Sequence, residues 1–179
     1  MQLVEHVRQM AEYNHWMNQK LYAACEQLSA EQLLENRGAF FGSILATLNH
    51  LAVGDIVWLK RFALGRAGAL EVMNEIPKPE TLNSQLFNSL PELKVRREQL
   101  DQVLLSFADE VTDSILQSAI TYKGFGGKTS TKVFFSLLMH MFNHQTHHRG
   151  QISTLLSQLG IDIGVTDLVA IIPNMEDQI

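Results

Sequence analysis

Residues 130 to 159 read STKVFFSLLMHMFNHQTHHRGQISTLLSQL, and apolar side chains return along them at helical spacing. Ser130 or Thr131 is placed to cap this helix, and Gly160 follows as its C-terminal stop. At 1.5 Å per residue the segment spans on the order of 40 Å. It also holds His140, His144, His147 and His148 within nine positions. With about 100° per residue and His140 at zero, Phe134, Leu137, Met141, Ile152, Leu155 and Leu159 fall between roughly 60° and 120°. His148 falls inside that arc and His144 at its edge, so these two point inward, whereas His140 and His147 sit at its margin.

Three further segments have the same periodicity. The first runs from about Gln2 to Gln27, with Leu3, Val7, Met10, Met17, Leu21 and Cys25 on one stripe, and Ser29 with Gln32 forms a capping box for a short turn after it. The second, about Ser43 to Leu64, is apolar on nearly every side, which implies burial against two neighbours or a second subunit. The third, about Leu90 to Ala108, is a charged outer helix with Pro91 in its first turn. Between the second and third, Gly65 to Thr81 reads as a long loop, a length often associated with lids or binding segments. The expectation is an all-α domain over residues 1–179, a four-helix bundle with one long crossover. The glycine-rich stretch QSAITYKGFGGKT, residues 117–129, reads as a short hairpin or an irregular crossing loop; its likeness to a phosphate-binding loop fails on spacing and lacks a preceding strand.

Composition excludes several classes of function. The chain has 179 residues, enough for a sizeable core, is 46% hydrophobic and 18% charged, and has no low-complexity tract. A net charge of −5 argues against nucleic acid, whose phosphates require clustered cations; the one such run, KVRRE at 94–98, reads as a solvated helix face. No apolar run reaches the roughly 20 residues needed to span a bilayer, and the charged N-terminus lacks the apolar centre of a signal peptide. The lone Cys25 makes no internal disulfide and reads as an inert core thiol, which fits a reducing compartment and a cytoplasmic location.

Two inward imidazoles four residues apart can share a metal ion, and a metal would offset the cost of burying them among Leu and Met. The spacing alone is equally compatible with a hydrogen-bonded core pair. His50, mid-helix in TLNHLAV, is the best third ligand, whereas His6 and His15 read as surface or boundary histidines. A zinc-protease HExxH needs Glu at position 145, where this chain has Gln145, and a ferritin-like di-iron site finds only Glu12 and His15. Asn14 and Asn18 lie on the first apolar stripe, either lining the cleft or, the preferred reading, tying helix ends together. Asp55 falls among Leu51, Trp58 and Phe62, either orienting a ligating imidazole or pairing with a neighbouring helix. Trp16 and Asn14 are available to seat a substrate, without a catalytic role.

LNHLAVGDIVWLKRF and HMFNHQTHHRGQI, with the opening YNHWMNQKLY, resemble the DinB family along essentially the whole chain. The resemblance implies a four-helix bundle, usually homodimeric, with one divalent ion on His50, His144 and His148; His140 and His147 are not required as ligands. Imidazole suits nickel, zinc and iron alike. Relatives of this kind include thiol-dependent S-transferases and isomerases. The implied activity is therefore a metal-dependent reaction on a small-molecule substrate, either transfer with a low-molecular-weight thiol as cosubstrate or hydrolysis. The competing expectation is a non-catalytic, stress-associated metal-binding bundle. A fourth protein ligand would favour that alternative.

Overall fold

The computed structural model describes residues 2–64 and 68–174. Four long helices carry the architecture: α1 (Leu3–Cys25), α3 (Ile44–Phe62), α4 (Leu90–Glu110) and α6 (Phe134–Gln158). Two short helices, α2 (Ala30–Leu34) and α5 (Asp113–Gln117), sit in the connections. Both α1 and α3 pack on α4 and α6, so each long helix has two long neighbours around one hydrophobic core. That arrangement explains the all-round apolar character of α3, which is buried almost without interruption from Ile44 to Val57 between two helices of the same chain. None of the described helices is long and apolar enough to cross a membrane.

Local chemistry sets the helix ends. Ser29 and Gln32 form the expected reciprocal cap of α2, and the Ser43 hydroxyl accepts from the Ala46 N–H to open α3. Gly160 adopts φ 77°, and the Ile161 N–H returns to the Leu156 carbonyl, closing α6 where expected.

Two expectations need correction. The chain is not purely α: of the two readings of the glycine-rich stretch the hairpin forms, with Ala119–Lys123 (β1) pairing antiparallel with Thr129–Val133 (β2), and Gly127 at φ 77° turns the connecting loop. Residues 130–133 therefore belong to a strand, and α6 begins at Phe134 without a hydroxyl cap. The β-branched and aromatic character of AITYK and TSTKV is the local signal for this hairpin. The crossover is also more ordered than a plain loop, with a 3-10 turn at Glu71–Asn74; Gly65, Arg66 and Ala67 lie outside the described residues, as do Met1 and residues 175–179.

KVRRE is not a solvated face throughout, because Arg97 is 3% exposed. Its Nη1 donates to Asp55 Oδ2 at 2.6 Å and its Nη2 lies 2.9 Å from Asp101 Oδ1. Asn18 Nδ2 donates to Asp101 at 2.9 Å, and Arg149 Nη1 donates to the side-chain oxygens of Asn14 and Asn18. Two carboxylates and two guanidiniums thus form a buried, formally neutral layer drawing on all four long helices. Such a layer defines which helix meets which at this level, since a slip would strand a charge in the core. Of the two readings of Asp55, pairing with a neighbouring helix is the one realised, and Asn14 and Asn18 tie helices together at mid-length and not at their ends.

Candidate metal centre

His50 on α3 and His144 and His148 on α6 converge on one point between the two helices. Their ring centroids are 4.9 Å (50 to 144), 4.6 Å (50 to 148) and 4.5 Å (144 to 148) apart. One nitrogen from each ring lies within 4.8 Å of the other two, a spacing at which one ion could be held. His140 and His147 are exposed at the margin of the helix, as the angular count places them. His6 is half-buried beside Phe135, and His15, also half-buried, lies 3.5 Å from Asp101.

The tautomers of two rings follow from their partners. The Leu82 carbonyl, 2.9 Å from His50 Nδ1, can only accept, so Nδ1 carries the proton and Nε2 is left with its lone pair. His148 Nδ1 likewise donates to Gln151 Oε1 at 2.8 Å, and the Gln151 amide is turned that way because its nitrogen donates to His147 Nε2 at 3.3 Å. Acceptors behind ligating histidines fix ring orientation and raise the basicity of the facing nitrogen. His50 Nε2 and His144 Nε2 face each other at 2.9 Å, and His144 Nδ1 is buried with no hydrogen-bond partner among the described residues. Without a cation, His144 must turn its only proton toward His50. That proton satisfies the bare His50 Nε2; an ion held at the same point would take its place and shift the His144 proton to Nδ1.

Burial holds all three imidazoles below their ordinary range. For His144 burial is the largest cause, followed by repulsion from His148, His50, His140 and His147, and it is lowered to about 3. His50 and His148 are lowered chiefly by burial. All three are neutral at pH 7 and available as donors. In the unfolded chain they titrate near 6.5, so below that pH the unfolded state binds more protons. Metal-free protein is therefore expected to lose stability as pH falls from 7.5 toward 5, with a shallower loss in His144→Ala. Urea midpoints across this range test it, and parallel slopes for the two proteins would contradict the neutral cluster.

Three supporting features were not anticipated from sequence. Gly54, one turn after His50, makes room for His144: a Cβ there would meet His144 Cε1 at 2.9 Å. A mid-helix glycine at i+4 from a candidate ligand was a usable signal, because its helix cost of about 1 kcal/mol relative to Ala calls for a packing reason. Gly54→Ala is expected to displace the His144 ring and weaken metal binding by about 10–100-fold, the range seen when ligand support is removed. Unchanged affinity in a competition titration would show that the ring adapts. Gln151, at i+3 from His148, was legible as a helical neighbour. Phe41, from the α2–α3 loop, stacks on His50 at 4.0 Å and meets His148 edge-on at 5.4 Å, and nothing in the sequence marked it.

Asn14 and Trp16 do not line the centre: Asn14 lies in the polar layer, and Trp16 packs under Lys20 and beside Tyr13. The tryptophan near the centre is Trp58, whose ring meets His140 at 5.1 Å. Cys25 is fully buried, and burial pushes its thiol up to about 12, in keeping with an inert core residue.

Similarity to known proteins agrees with this architecture. Protein DinB of Bacillus subtilis (strain 168) is 28% identical over 167 residues, 87% of each chain. The uncharacterized protein YizA of the same organism is 26% identical over 153 residues, 83% of this chain and 84% of its own. The crystal structure of a DinB-like protein from Bacillus cereus ATCC 10987 superposes with a TM-score of 0.64 at 21% identity, covering 90% of this chain and 95% of that one, which supports the fold. The sequence profile of the DinB family matches residues 1–176, and this chain belongs to that family.

Proposed function

We propose that His50, His144 and His148 bind one divalent transition-metal ion, nickel, zinc or iron, and that the site catalyses a reaction on a small molecule, either thiol-dependent S-transfer or hydrolysis. The observation that supports this reading most is the preset donor geometry: Leu82 and Gln151 hold the Nδ1 protons of His50 and His148, which aims their bare Nε2 atoms at the shared point. Among the described residues no fourth His, Cys, Asp or Glu joins the group. An open donor set is the arrangement of catalytic centres and argues against a closed structural one. When bound, such an ion supplies Lewis acidity that lowers the pKa of a coordinated thiol or water.

The chain's own residues contribute orientation and shielding. Three neutral imidazoles add no negative charge, which favours an anionic partner. Phe41 covers the His50 face and reduces access of water from that side. The four long helices are read as a four-helix bundle. The homodimer and the reducing cytoplasm rest on the family resemblance and on the lone buried Cys25.

A panel of small thiols with a chromogenic electrophile is expected to show turnover by the protein as isolated, lost on chelation and restored by one equivalent of nickel, zinc or iron. Turnover that survives chelation would remove the metal from the reaction.

A further inference from the structure

The hairpin that departs from the expected all-α fold helps close a pocket over the C-terminal end of α3. Its cavity is about 470 Å³, and Lys60, Arg61, Lys78 and Lys123 line it with no carboxylate among the described lining residues. A chain with a net charge of −5 thus gathers four of its fourteen Lys and Arg side chains here. Such a concentration focuses a positive field in a concave, partly apolar site.

Two of the cations are held in place. The Lys60 ammonium donates to the Met73 carbonyl at 2.6 Å and also to that of Ile76, which anchors it to the crossover. The Arg61 guanidinium contacts two mutually inclined rings, 4.5 Å from the Trp58 centroid and 4.7 Å from that of Tyr122, with Nη2 directed at the Lys123 carbonyl. Cation–π contact with both rings restrains the guanidinium, and its planar fork suits carboxylate or phosphate oxygens. Burial, followed by the nearby Lys78, lowers Lys60, so the cluster carries repulsion that an anion would relieve.

A continuous row of rings joins this pocket to the metal centre. Trp58 meets Tyr122 at 5.4 Å and His140 at 5.1 Å, and His140 lies 6.3 Å from His144. Along α3, Arg61 is seven residues beyond Gly54, the residue that cradles His144, which is about 10 Å of helix. We infer that this pocket binds the carboxylate or phosphate end of the substrate, so that the proposed enzyme acts on an anionic small molecule about 10 Å long whose other end reaches the histidines. This inference rests on the functional reading above.

The test uses the full chain with Trp16→Phe, which leaves Trp58 as the one tryptophan, and titrates inorganic phosphate and succinate by calorimetry and Trp58 emission. Saturable binding is expected, weakened about fivefold by Lys78→Met and about tenfold or more by Arg61→Gln, and retained in His144→Ala. A thermal melt of each variant checks folding, and the exposed Lys78 is the substitution least able to perturb it. No saturable binding of either anion, or binding unchanged from the parent protein in both pocket variants, overturns the inference. Loss of binding in a folded His144→Ala does so as well, since it would put the anion on the histidines. Absence of metal from the isolated protein with anion binding intact would instead defeat the proposed function and leave the pocket standing.

Discussion

His144→Ala is expected to abolish stoichiometric metal binding. His144 is one corner of a nearly equilateral triangle of rings, 4.9 Å from His50 and 4.5 Å from His148, and its removal takes away the nitrogen that faces His50 Nε2 at 2.9 Å and leaves two imidazoles. The loss should exceed the roughly 10–100-fold that follows removal of an outer partner. His148→Ala is expected to behave alike, whereas replacement of His147, which meets the His148 ring edge-on at 4.8 Å and holds Gln151 but is not one of the three converging rings, by Ala should weaken binding far less. Elemental analysis of the proteins as isolated, with competition titrations, separates these outcomes. Equal metal content in all three variants would mean that the convergence of rings is a packing arrangement. A thermal melt of metal-free His144→Ala separates loss of the ion from loss of the fold, because the substitution also removes the 2.9 Å contact to His50 Nε2.

Arg97→Met is expected to cost about 3–5 kcal/mol, the usual consequence of removing one partner of a buried ion pair. Native domains are stable by only about 5–15 kcal/mol, so the loss is severe. The cause is uncompensated charge: Asp55 is 1% exposed and Asp101 3%, and the guanidinium bridges both. Asp55→Asn, which keeps the shape and strands no carboxylate there, should cost less. The pH dependence gives an independent check. Burial already pushes the Asp55 carboxyl up against the pull of Arg97, and without Arg97 it should rise further. A folded-state carboxyl raised above its unfolded value favours folding at low pH and opposes it as pH rises. The deficit of Arg97→Met should therefore be smaller near pH 5 than near pH 8. Urea denaturation at both values measures it, and an identical deficit would place the effect in lost packing.

Much of this protein was legible in its order of residues. Periodicity located the four long helices because each must bury a continuous stripe, and Ser43, Pro91 and Gly160 marked ends through chemistry that acts within one turn. The direction of His144 and His148 was likewise a local property of a helix of known pitch. The charged core was not legible at Arg97, because a lone Arg in a polar run looks solvated until its partners are known. Those partners, Asp55 and Asp101, come from a different helix and from the next turn.

Tertiary structure alone decided which elements meet. A helical wheel gives an angle but no neighbour, so the approach of His50 to the α6 pair, 94 residues from His144, depends on how α3 packs on α6. Leu82 supplies a backbone carbonyl, which no side-chain pattern encodes, and Phe41 reaches the site from an irregular loop. The cationic pocket depends on a hairpin folding over the end of α3, which brings Tyr122 and Lys123 to Lys60 and Arg61. Short-range rules settle conformation and facing, because hydrogen bonds and sterics act between near neighbours in the chain. Sites are settled by long-range packing, because their donors and charges come from segments distant in sequence.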